Sequence, residues 1–87
     1  MDAVKTTQYF EAMRVRRDRA MIQDEWIQRV IDHPVKERIQ KDGRIRAWGR
    51  IVLPGDVRPR FLRVITLEDG ETVHNAFFDR NFREAEQ

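Results

Sequence analysis

Between Asp42 and Leu67 the chain reads DGRIRAWGRIV, a loop, and RPRFLRVITL. Ile45, Ala47, Gly49 and Ile51 alternate with Arg44, Arg46, Trp48 and Arg50. A period of two becomes one apolar and one basic face only in an extended strand. The second run, FLRVITL, is apolar on both faces and belongs in the interior of a sheet. The two runs therefore predict neighbouring antiparallel strands, and the rest of the chain must supply a cover for their apolar side.

Upstream, Thr6 and Thr7 precede QYFEAMRVRRDR. A threonine hydroxyl accepts from the free amides of a first helical turn, so a helix is predicted from about Gln8. Phe10 and Met13 fall on one side of it, and Arg14, Arg16, Arg17 and Arg19 fall in its last turns, where cations suit the helix dipole. The next segment, QDEWIQRVIDHP, is more clearly helical. Asp24 and Glu25 put negative charge in its first turn, Pro34 stops it, and Met21, Ile22, Trp26, Ile27, Val30 and Ile31 form one apolar stripe. Trp26 reads as core, and His33 as a residue closing the helix end.

VKERIQ follows as a short polar strand suited to a sheet edge. Asp42-Gly43 and Asp69-Gly70 supply tight hairpin turns, because Gly tolerates the positive φ such turns require. The Pro54–Pro59 segment breaks the sheet pattern, TVHNAFF is the last strand, and DRNFREAEQ closes the chain as a loop or short helical turn. The order of two helices and four strands predicts a single α+β domain over residues 1–87. Two N-terminal helices would pack on one face of a four-stranded antiparallel β-meander. Gly49, in the core-facing set, would let a helix approach the sheet closely. The opposite face would carry Arg44, Arg46, Trp48 and Arg50, with Arg63 beside them.

Charge narrows the choice of partner. The net charge of +2 over 87 residues is segregated: residues 41–67 hold seven Lys/Arg against two Asp/Glu, while residues 68–87 hold two against six. A basic cluster on one hairpin attracts phosphates or acidic proteins, and is also what a solvated strand face carries. With no cysteine, disulfides, thiolate nucleophiles and zinc fingers are excluded. Two distant histidines offer no metal-ligand spacing, no glycine-rich phosphate loop or serine nucleophile motif is present, and no cofactor is implied. The sequence has no run of about 18 apolar residues and no signal-peptide pattern at its start, so a cytoplasmic protein without a membrane association is expected.

An apolar helix ending in DHP, then GRIRAWGRI, a loop, FLRVITLEDGETVHNA and a charged end resemble the BrnT branch of the RelE-type bacterial toxins and the small uncharacterised domains related to them. The resemblance spans about residues 20–84. It implies metal-independent cleavage of RNA, free or on the ribosome, by basic residues on an open sheet face, and an acidic antitoxin as a protein partner. Arg46 and Arg50 match the strand arginines, Arg63 lies beside them, and Arg80 and Arg83 fall in the tail, where the toxins also carry basic residues. His74 is the candidate proton carrier, with Arg63 as its catalytic companion. Where the toxins' last strand presents an arginine, this chain has Asn75-Ala76-Phe77-Phe78.

Two functional expectations follow. In one, the chain is an RNA-directed ribonuclease or translation inhibitor acting through His74 and Arg63, with Arg44, Arg46, Arg50 and Arg80 holding phosphates and Trp48 stacking a base. In the other, the same Arg/Trp face is a non-catalytic surface for nucleic acid, for an acidic protein or for a second copy of the chain. On the second expectation Arg63 is also available as a cross-strand partner of Glu71.

Overall fold

A computed structural model describes residues 4–16 and 19–83. Helix α1 spans Gln8–Met13 and α2 spans Asp24–Asp32; strands β1 to β4 span Lys36–Ile39, Ile45–Ile51, Arg60–Thr66 and Val73–Phe78. The strands pair antiparallel in the order β1-β2-β3-β4, so β3 is interior and β1 is an edge, as its polar composition predicts.

α1 begins where expected, with the Thr7 hydroxyl accepting from the Phe10 amide at 3.1 Å. It ends earlier than expected. After Met13 the positions that would continue the Phe10 stripe are arginines, so a further turn would bury nothing, and a short helix extends only when its turns are packed. Arg14 is therefore the C-cap rather than a last-turn residue. Arg16 and Arg19 lie in the connection to α2, and Arg17 falls outside the described residues. α2 keeps its predicted bounds, with Asp24 and Glu25 in the first turn and the His33 amide donating to the Arg29 carbonyl at 2.8 Å.

Both helices cover the same side of the sheet, α2 against β2 and β3 and α1 against β4. Phe10, Ile27 and Val30 meet Ala47, Ile51, Leu62, Val64, Val73 and Ala76 in one core, with Trp26 packed at its margin. Each fully buried Val, Leu, Ile or Phe contributes about 1.5–3 kcal/mol of transfer free energy. Gly49 sets the spacing: a Cβ there would stand 2.7 Å from Val30 Cγ2 and 3.2 Å from Val30 Cα. The helix therefore rests on bare backbone.

Two features depend on pairing across the chain. Lys5–Thr7 runs parallel to the start of β4, with the Thr7 amide donating to the Val73 carbonyl at 3.0 Å and the Val73 amide to the Lys5 carbonyl at 2.8 Å. On β3, Ile65 pairs with Asn75 and Thr66 with Val73, which leaves His74 as the extra residue of a β-bulge.

Candidate nucleic-acid interface

The strand register decides what the helix-free face displays. Lys36 stands opposite Trp48 and Arg38 opposite Arg46, while Trp48 pairs with Arg63 and Arg63 with Phe77. Side chains of paired residues share a face. This side therefore carries Lys36, Arg38, Arg46, Trp48, Arg50, Phe61, Arg63, Ile65, Asn75 and Phe77. Among the described strand residues, no acid lies on it, since Glu37 pairs with Ala47 on the helix side.

The segment after β4, from Asp79 to Phe82, lies across part of this face. Trp48 is on it, as the alternation predicts, yet only 7 % of the residue is exposed. The Phe82 ring stacks on the indole with centroids 5.1 Å apart and 17° between planes, and leans on Phe61 at 5.0 Å. The indole Nε1 donates to Asp79 Oδ2 at 2.9 Å, and Arg63 Nη1 approaches the same oxygen at 3.6 Å. Asp79 Oδ1 accepts from the Asn81 amide at 3.0 Å. Burial by itself would raise the pKa of the Asp79 carboxyl, but the Trp48 indole, the Asn81 and Phe82 amides and the Arg63 charge outweigh it and hold the carboxyl below its ordinary range.

Arg63 is consequently tied to Asp79 and not to Glu71, which pairs with Lys5 at 3.6 Å. Its guanidinium lies 4.6 Å from the Phe77 ring centroid and 5.9 Å from that of Trp48. Burial lowers its pKa, as does the neighbouring Arg46, while Asp79 opposes both. Arginine remains a cation under these conditions. Arg46 receives the Gln40 side chain, whose amide oxygen, turned to the guanidinium, accepts from Nη2 at 2.9 Å and Nε at 2.7 Å. Arg50 is exposed and opposite Phe61. Arg44 forms an ion pair with Asp42 at 3.7 Å, and Arg80 is exposed on the turn after β4.

His74 is held elsewhere. Its Nδ1 lies 3.2 Å from the Thr7 hydroxyl and its ring stacks on Tyr9 at 4.7 Å, so the bulge turns it to the N-terminal segment. Burial lowers its pKa, Arg44 adds to that, and Asp42 works against it. Arg63 pairs with Phe77, three residues further along β4 and so roughly 10 Å away along the strand. The structure thus brings Arg46, Arg63 and Trp48 together and holds His74 against Thr7 and Tyr9. Among the described residues no cluster of three metal-ligating side chains forms, and no helix is long and apolar enough to cross a membrane.

Asp79 and Phe82 were not singled out by sequence reasoning. An Asp-x-Asn signal for a local turn is present in Asp79-Arg80-Asn81, but its contact with Trp48 spans 31 residues and leaves no periodicity to read. Together, fold and site define a small α+β domain with two helices on one face of a four-stranded antiparallel sheet and a cationic array on the other. Set against protein-family models, curated proteins and solved structures, the chain matches none of them.

Proposed function

We propose that this chain is an RNA-directed binding module of the RelE/BrnT type that holds single-stranded RNA on the helix-free face without cleaving it. The observation that carries the reading is the register of β1 and β2, which sets Arg38 beside Arg46, with Lys36 and Arg50 in line, on a face where the described strand residues include no carboxylate. Cations held on rigid strands lose little freedom when they meet a phosphate backbone, and they release its counterions. The resemblance of the central hairpin to the BrnT strands supports RNA over other polyanions. A ribosomal RNA segment is one form the ligand can take, and the cytoplasm of a bacterium is the compartment this reading requires.

Catalysis is not part of the proposal. A general base must come within hydrogen-bond reach of the proton it takes, and His74 is engaged by Thr7 and Tyr9 instead of facing Arg46 and Arg63.

The test is binding of a short single-stranded RNA by fluorescence anisotropy over a salt series, wild type beside Arg46→Ala/Arg50→Ala, with RNA length checked on a gel. Binding should weaken with salt, and the double variant should reduce the log–log slope by about 1.4, two contacts at about 0.7 each. Intact RNA is expected throughout. Absence of binding at low salt would overturn the RNA reading, and shortening that depends on His74 would replace it with the nuclease reading.

A further inference from the structure

A concavity of about 1040 Å³ lies where β3 begins and β4 ends, between the α1–α2 connection and the turn after β4. Arg19, Arg58, Arg80 and Arg83 line it together with Phe61 and Phe77. The acid in its wall, Asp79, is already committed to Trp48 and Arg63. A further lining arginine, Arg60, is neutralised by Asp56 through contacts of 3.1 and 3.3 Å. The four other arginines form no ion pair among the described residues and therefore give the cleft a positive potential.

Arg19 is the most telling of the four. Its guanidinium lies 5.4 Å from the Phe77 ring centroid, while Arg63 sits 4.6 Å from the same ring. One aromatic ring thus gathers two like charges, and among the described residues Arg63 has a carboxylate partner and Arg19 has none. Arg19 Nε and Nη1 are buried with no hydrogen-bond partner among the described residues. Removing guanidinium nitrogens from water without a partner is costly, and an anion seated nearby would offset that cost. A neutral ligand would leave it in place.

We infer that this cleft binds a nucleotide phosphomonoester, with the phosphate among Arg19, Arg58, Arg80 and Arg83 and the nucleoside against Phe61 and Phe77. A phosphomonoester carries about −1.5 to −2 charge at neutral pH and three strong acceptor oxygens, which several guanidinium groups can serve at once. Apolar aromatic walls favour a ligand with a ring attached to its anion over a bare ion or a flexible acidic chain. The inference rests on the RNA reading only in the choice of a nucleotide. On the full strand, the cleft takes a phosphorylated end while the sheet face takes the backbone.

The experiment is titration of the whole protein with uridine monophosphate, uridine, inorganic phosphate and hexaglutamate by calorimetry and amide chemical shifts. The expected result is saturable binding of uridine monophosphate at least tenfold tighter than either fragment, with shifts around Phe61 and Phe77. It should weaken at least tenfold in Arg58→Ala/Arg80→Ala, two exposed positions, and in Arg19→Gln. Arg46→Ala/Arg50→Ala should leave it unchanged. A phosphorylated oligonucleotide should bind more tightly than the same strand with hydroxyl ends, which separates a strand terminus from a free nucleotide as the source. Uridine monophosphate no better than inorganic phosphate, indifference to the Arg58/Arg80 variant, or tighter binding of hexaglutamate would each overturn the inference. Strand binding without mononucleotide binding would sink this cleft alone, whereas mononucleotide binding without strand binding would sink the sheet-face reading alone.

Discussion

Asp79→Ala is the perturbation with the most to lose. The side chain is 13 % exposed and serves four groups: the Trp48 indole at 2.9 Å, Arg63 at 3.6 Å, and the amides of Asn81 and Phe82. A hydrogen bond to a charged acceptor contributes about 1.5–3 kcal/mol, and truncation also leaves a desolvated indole N–H and a partly buried guanidinium without their anion. Relief of the carboxylate's own burial offsets part of this, so the net cost is about 3 kcal/mol. For a domain of this size that lowers Tm by roughly 12–24 °C. Asp79→Asn keeps an acceptor for the indole and a short side chain in the turn, and should cost about 1 kcal/mol. Urea unfolding followed by tryptophan fluorescence measures both, and Trp48→Phe in a double-mutant cycle isolates the indole bond, with Trp26 remaining as the probe. Coupling of about 1 kcal/mol or more is expected. Equal stability of Asp79→Ala and wild type, or zero coupling, would refute the idea that this carboxylate clamps the segment after β4 to the sheet. The lowered pKa also fixes a direction in acid: the stabilisation is complete above the ordinary carboxylate range near pH 3.8 and is lost as pH falls through the lower folded value.

Two further outcomes test other parts of the fold. Gly49→Ala should destabilise by about 1–3 kcal/mol, since its Cβ would stand 2.7 Å from Val30 Cγ2, and Val30→Ala in the same chain should recover part of that loss in denaturant unfolding. Because the folded pKa of His74 is lowered, the unfolded chain binds the proton more readily. Stability is then greatest above about pH 6.5 and declines as pH falls from there towards the folded value; urea midpoints between pH 5 and 8 should show this slope, and a slope unchanged in His74→Gln would exclude His74 as its source.

The helix-free face was legible in part. Alternation in Ile45–Ile51 assigns Arg46, Trp48 and Arg50 to one side because a strand turns every second residue the same way, whatever it pairs with. The Thr7 cap, the Asp24–Asp32 helix and the closeness required at Gly49 are likewise written locally, in hydroxyl, charge and side-chain size. The pairing of Arg63 was not. Sequence distance allowed Glu71, and the choice of Asp79 follows from how the last turn folds back over Trp48. The bulge at His74, with the Thr7 and Tyr9 contacts that hold the ring, likewise joins segments more than 60 residues apart and leaves no local pattern.

Taken alone, then, the sequence determined the kind and order of the elements, the side of the sheet that would be basic, and the absence of thiol chemistry. The tertiary structure decided which cations are covered, which are paired and where a concavity forms. The physical reason is range. Periodicity and capping are set within a few residues, whereas the enclosure of Trp48 by Phe82 and the meeting of Arg19 with Phe77 depend on segments 34 and 58 positions apart in the chain. Only packing and register bring such segments together.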